Sequence, residues 1–522
     1  MSDPLYLAPR LESRPAALLD SPVFLHSLVA ALGSPLNVVL PDQMADNVRR
    51  FQDVYARHRL AGRICFAHKA NRSSALVRRL AAISAPANGP AAHSPAAHSP
   101  ATHSPAASGA SSAGASVGID VASLGELQHA LGCGFTPERI TATGPKDPAF
   151  LWLAARTGVT VGTDSAGELT ALAALVERHD LPRVRVMPRL SEFTAPGTRT
   201  LTRRSRFGTP ADEADALLDL VEKHPGSLEL TGVSYHLDTM SLAEKAVALE
   251  GCVRVLDDCR RRGLRPRAVD IGGGFGVDYL ADGAQWEAYT TELTRALLGR
   301  RPPLTWEGHG YGLRAENGTL RGALGVYPGH RPVAGPRYLD ELLGQAAPSL
   351  GRPLATLLLE NLYDLHAEPG RALTDQCGIT LAEVLEVRAT AAGERLVRIA
   401  ANARDVGLED HGLLVDPVLV PRGAPDDGVE RPVGVYILGN LCLESDLISR
   451  RTVFLPRAPR PGDLLAFVNT AGYFMDFTAD HAMRQPVARK AAVHQDAAGA
   501  WRWCLDEQYW PHLTADEPGG AL

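Results

Sequence analysis

The sequence predicts a (β/α)8 barrel followed by a mainly antiparallel β domain, and three observations carry that reading. Between about residues 37 and 372, apolar runs of strand length alternate with segments whose apolar residues recur at the helical period. Beyond 373 the helical period stops, and short β-branched runs broken by proline and glycine replace it. The residues best suited to chemistry fall where strand-like runs end, the face on which such barrels build their active sites.

Strand-like runs lie at 64–66, 118–121, 140–143, 159–162, 184–187, 230–233 and 269–271, and a short one before Glu368 makes the eighth. Segments 165–178 and 241–262 between them carry the longer period. In the second domain the runs at 378–387 and 433–438 read as strands. The barrel is expected to span 37–372, and the β domain 373–522.

Lys69 follows the apolar run Cys65-Phe66-Ala67 at a turn of small residues, which delivers one amine to the end of a strand. Taken alone, a lysine there is more often a solvated surface group. Further along, Val269-Asp270-Ile271 runs into Gly272-Gly273-Gly274-Phe275-Gly276, four glycines in five positions, whose bare amides can wrap a phosphate. The run is no dinucleotide fingerprint, because Val277 stands where G-x-G-x-x-G needs glycine. Glu368-Pro369-Gly370-Arg371 sets a carboxylate and a guanidinium three residues apart around a rigid turn. An amine, a phosphate cradle, and a carboxylate beside an arginine are the parts that hold pyridoxal phosphate (PLP).

With these motifs in this order the chain resembles the fold-type III PLP-dependent decarboxylases, the group of diaminopimelate, ornithine and arginine decarboxylases. The resemblance runs from about Ser34 to Tyr473. It implies that Lys69 forms the Schiff base, that Asp120 lies near it, and that His236 stacks on the cofactor ring. Thr239 stands where the family usually has a phosphate-binding serine. Gly273, Gly274 and Gly276 match the phosphate loop, Glu368 the partner of the pyridine nitrogen, Arg371 a further phosphate contact, and Tyr473 a tyrosine of the cofactor site. Cys442 matches a cysteine given across a dimer interface, where a thiol with a tunable pKa serves as general acid. The resemblance also joins residues 1–36 to the β domain.

Glutamate at the ring nitrogen, where racemases sharing the barrel use arginine, favours decarboxylation over racemisation. A racemase or other Cα chemistry, and a non-catalytic PLP-binding protein, are the alternatives. Substrate identity departs from the family: Leu443 stands where diamino-acid decarboxylases carry the acid that holds a distal ammonium, with Glu444 and Asp446 close behind. A specialised amino-acid substrate, bound by a homodimer with shared active sites, is therefore expected.

Composition is compatible with that reading. A net charge of −6 argues against nucleic acid or an acidic membrane as main partner. Seven cysteines with no C-x-x-C pair point to a reducing compartment, and the lack of an apolar leader or a spanning run points to a soluble cytoplasmic protein. Residues 84–116 contain no charged or aromatic side chain and read as a disordered insertion. The histidines 93, 98 and 103 within it have no acidic or thiol partners, so no metal is expected. The stretch 305–365 falls before the last barrel strand, where it could line or cover the barrel mouth.

Overall fold

A computed structural model describes residues 4–83, 114–196, 202, 204–423, 431–477, 479–480 and 482–511. Eight parallel strands close into a barrel: β1 Ala61–Ala67, β2 Gly114–Val121, β3 Ile140–Ala142, β4 Thr160–Thr163, β5 Val184–Ser191, β6 Gly232–Tyr235, β7 Ala268–Asp270 and β8 Asp364–Ala367. Neighbours in sequence are neighbours in space throughout, and β8 pairs with β1, Ala367 opposite Ile64, to complete the ring. The strands are buried on both faces, which is why they read as continuous apolar runs rather than alternating ones.

The helices on the outside start where the sequence can cap them. Ser73, Ser123, Asp147, Ser165 and Ser241 each accept a backbone N–H of the first turn with the side chain. Ser123 and Ser165 follow directly on strand ends, and Ser73, Asp147 and Ser241 come after short loops that leave the strand-end residues at the barrel mouth.

The second sheet has nine strands and is mainly antiparallel, with Gly378–Ala389 near its centre. One of its strands is Leu36–Val39, which lies antiparallel to Gly378–Leu381 and parallel to Arg489–Ala492. The expected barrel start at 37 is therefore too early: residues 37–39 belong to the second sheet, and the barrel side begins with helix Pro41–Arg57. An apolar strand suits either sheet, and its own residues do not say which partner it takes. Helices Ser13–Leu19 and Pro22–Leu32 cover this sheet, burying Leu18, Leu25 and Leu28 against Leu36, Val38, Ile379 and Leu381. Among the described residues no single helix is long and apolar enough to cross a membrane.

Two further expectations shift. Residues 114–116, assigned to the insertion, start β2 and pair with Ala61, Gly62 and Arg63; positions 84–113 lie outside the described residues. The run 230–233 divides at Thr231 into Leu228–Leu230 and β6, both paired with β5.

Barrel closure leaves no room at Gly62, where a Cβ would sit 1.7 Å from the Leu365 carbonyl oxygen. Gly62→Ala is expected to destabilise the protein by about 3 kcal/mol or more, the upper end for point substitutions. A lowered denaturation midpoint and a loss of soluble yield would report it.

Candidate active site

Lys69 sits in the 3-10 turn His68–Ala70 that follows β1. Its ammonium lies 3.8 Å from Oδ2 of Asp120, which is near the end of β2. The lysine side chain is 41% exposed toward the cavity while the aspartate is only 1% exposed, so the charge that holds the amine is shielded and the amine is reachable. Thr143, just past β3, donates to Asp120 Oδ1, and Oδ2 has no hydrogen-bond partner among the described residues. The Asp120 charge raises the Lys69 pKa, with burial opposing it.

His236 follows β6. Its Nδ1 accepts the Gly273 N–H at 3.1 Å, which assigns the remaining ring proton to Nε2. Burial, then the charges of Lys69 and Arg189, lower its pKa to about 3, so the imidazole is a flat neutral ring at neutral pH. The glycine run after β7 is required by close approach. At Gly272, with φ +61°, a Cβ would lie 2.6 Å from the Tyr235 carbonyl oxygen, and at Gly273 one would lie 3.0 Å from that of Glu368. Glu368 follows β8 and anchors its own N–H on the Gly272 carbonyl at 2.9 Å. Burial, together with the charges of Asp120 and Asp270, pushes its carboxyl well above the usual carboxylate range.

Lys69, His236 and Glu368 line one cavity of about 700 Å³. It also exposes residues the sequence reading missed: Asp164, Arg189, Arg204, Arg206 and Asp238. The available signal was Arg189 itself, a charged side chain near the end of a mostly buried barrel strand; it lies 3.7 Å from Asp164 and donates toward the His236 carbonyl at 3.4 Å.

The structure distributes the other expected residues differently. Thr239 turns its hydroxyl to Glu244 at 3.0 Å and accepts the Ser241 N–H, starting the helix Leu242–Arg261. Arg371 donates to the Tyr279 hydroxyl at 3.1 Å and sits among the rings of Tyr327, Tyr473 and Phe474. Tyr473 braces the lysine turn from below, with its N–H on the Ala70 carbonyl at 2.8 Å. Gly276 borders a second cavity of about 260 Å³ together with Arg331. No residue of 305–365 lines the larger cavity. That stretch leans on the far end of the glycine loop instead: the Tyr327 hydroxyl accepts from Val277 N at 2.9 Å, and Gly335 N donates to the Gly276 carbonyl at 2.9 Å.

Cys442 and Leu443 are exposed on a loop of the β domain, the leucine at 52%, and they are not among the residues lining the cavity. Asp446, expected to touch substrate, is instead buried inside that loop. Its carboxylate accepts from Ala403 N at 2.8 Å and Leu441 N at 2.7 Å, and a Cβ on Gly439 would strike it. Those bonds hold the loop's shape.

The donor set fits pyridoxal phosphate. An amine beside an acid, a neutral flat imidazole, and a carboxyl poised for a ring nitrogen share one cavity wall. The N–H groups of Gly274, Phe275 and Gly276 have no acceptor among the described residues, and successive unpaired amides of this kind suit a phosphate.

Comparison with known proteins agrees. Residues 108–319 match the family model for the pyridoxal-binding domain of pyridoxal-dependent decarboxylases. An uncharacterized protein, y4yA of Sinorhizobium fredii, is 30% identical over 498 residues, covering 94% of this chain and 95% of that one. The diaminopimelate decarboxylase of Actinosynnema pretiosum is 30% identical over 366 residues, 68% of each chain. The chain belongs to the pyridoxal-dependent decarboxylases. Its fold is also that of the diaminopimelate decarboxylase of Helicobacter pylori crystallised with L-lysine, at a TM-score of 0.62 and 17% identity over 91% of this chain and 95% of that one. As a member of this family it is a carboxy-lyase of amino acids, and its cofactor is PLP.

Borohydride treatment of the protein with PLP is expected to fix the pyridoxyl label on the peptide carrying Lys69, read by peptide mapping, and Lys69→Ala should take up none. A second expectation concerns Asp270, which accepts the Gly272 N–H at 2.8 Å and whose pKa burial raises from 3.8 to about 7. The unfolded chain gives up this proton at lower pH than the folded one, so the group's contribution to stability falls as pH rises from about 4 to about 7. Asp270→Asn should therefore gain stability relative to wild type across that window; a constant difference in Tm would contradict it.

Proposed function

We propose that this protein removes the α-carboxylate of an amino acid whose side chain carries no distal ammonium, using PLP held at Lys69. The observation that carries the reading is the single cavity wall shared by Lys69, neutral His236 and the raised carboxyl of Glu368, with Asp120 buried behind the lysine. When bound, PLP supplies the electron sink for the pair left at Cα. Glu368 keeps a proton at the ring nitrogen and so keeps that sink strong, which favours loss of CO2 over racemisation. His236 presents an uncharged face and adds no positive charge against the ring. Asp120 holds the proton of Lys69 and keeps the amine oriented, and the free amides of residues 274–276 hold the phosphate.

The proton that replaces CO2 is assigned to Cys442. Its exposed loop lies outside its own chain's cavity lining, which supports a homodimer in which one subunit's loop covers the other's cavity. In that arrangement Leu443 offers an apolar surface to the substrate side chain. Arg189, Arg204 and Arg206 outnumber Asp164 and Asp238 on the cavity wall, a field that disfavours a second ammonium. Seven unpaired cysteines support a reducing, cytoplasmic setting.

Measuring CO2 release across an amino-acid panel tests the reading. Neutral or acidic side chains should turn over, and ornithine, lysine and diaminopimelate poorly, because an uncompensated buried ammonium costs several kcal/mol. Leu443→Glu should shift preference toward diamino acids. Brisk wild-type turnover of those three would refute the substrate assignment. Mixing Lys69→Ala and Cys442→Ala subunits should restore about a quarter of wild-type activity, since random pairing in a two-fold dimer makes half the dimers mixed, each with one intact site. No recovery after verified subunit exchange would mean that each site is built within one chain.

A further inference from the structure

Lys245 is fully buried in the first turn of the helix Leu242–Arg261. Its Nζ donates to the Gly273 carbonyl and faces the rings of Phe275 at 5.2 Å and Tyr338 at 5.6 Å. Among the described residues no carboxylate pairs with it. The other fully buried lysine side chain, Lys146, shows the ordinary solution: two carbonyls and Glu168 at 3.2 Å. The neighbouring carboxylate of Glu244 is turned to the Thr239 hydroxyl. An unpaired buried ammonium is costly, and in these aromatic surroundings an apolar side chain of the same length would be cheaper. Something else must justify the charge.

The loop above it shows what. Lys245 Nζ lies 3.0 Å from where a Cβ on Gly274 would be, so the ammonium sits directly behind the glycine loop. By drawing the Gly273 carbonyl toward itself, the lysine turns that peptide plane. In a planar trans peptide the N–H points opposite to the carbonyl, so the Gly274 N–H is aimed away from Lys245, to the loop's other side. That N–H begins the run of three free amides.

We propose that Lys245 is the buried counter-charge of the cofactor phosphate: it acts through the loop, orienting the Gly274 amide and complementing the dianion without touching it. The proposal rests on PLP being the cofactor. Burial alone lowers the lysine's pKa to about 8, which fits a cation whose anion completes the site.

The test compares PLP with pyridoxal, which has the ring and aldehyde but no phosphate, on the full-length chain freed of cofactor. Lys245→Met should weaken PLP binding roughly tenfold to a hundredfold, the scale of a lost interaction with a charged group, and leave pyridoxal binding unchanged. Lys245→Arg should recover part of the PLP affinity. The cofactor-free Lys245→Met chain should melt no lower than wild type, because it loses an unpaired buried charge. Equal losses for PLP and pyridoxal, or an unchanged PLP affinity, would overturn the proposal. Wild type failing to bind PLP would instead overturn the cofactor assignment. If Lys245→Met does not accumulate, the wild-type chain decides: inorganic phosphate must raise the Tm of its cofactor-free form, and no rise overturns the proposal.

Discussion

Everything at the barrel mouth depends on a passage too narrow for side chains. The chain leaving β7 threads between the end of β6 and the end of β8, where Gly272 meets the Tyr235 carbonyl at a distance no Cβ tolerates and Gly273 lies tight against that of Glu368. Because the loop passes there, His236 gains its backbone donor, Glu368 gains the anchor for its own N–H, and three amides further along are left without an acceptor among the described residues. A side chain in this passage would move all three together.

The electrostatics follow from that crowding. Asp120, Asp270 and Glu368 come from three strand ends; burial raises the proton affinity of each, Asp120 adds to that of Asp270, and both add to that of Glu368. Lys69 balances one of them. At the opposite end stand the free amides, with an ammonium behind them. In the proposed reading the acids would meet the ring nitrogen and the amides the phosphate, so that a cofactor carrying charge of both signs would enter one way round.

Much of this was legible in the sequence, and the reason is local. Lys69, His236, the glycine run and Glu368 each stand at the end of an apolar run, and in a closed parallel barrel strand ends converge whatever the details of packing. What was not legible depends on partners distant in sequence. Asp446 read as a substrate ligand because nothing local shows that its carboxylate takes the N–H of Ala403, which opens the helix Ala403–Val406, as well as that of nearby Leu441. Arg189 and Asp238 acquire meaning only once the cavity wall is assembled. Lys245 looks like any helical lysine until Gly273 and Gly274 are placed over it. Strand Leu36–Val39 is buried at every position, Asn37 included, and fits a barrel equally well; only its pairing with residues near 380 and 490 assigns it.

That strand has a consequence in time. It is synthesised before the whole barrel, yet both of its neighbours in the sheet, Gly378–Leu381 and Arg489–Ala492, come after it. At ordinary rates of translation the interval is on the order of tens of seconds, during which a strand carrying Leu36, Val38 and Val39 has two unpaired edges. The barrel can close on the ribosome as its strands emerge in order, whereas the second sheet cannot form around its own middle until nearly the last residues described have left the tunnel. Helices Ser13–Leu19 and Pro22–Leu32, which pack on Leu36 and Val38 in the finished protein, are made before the strand and can shield these side chains while it waits.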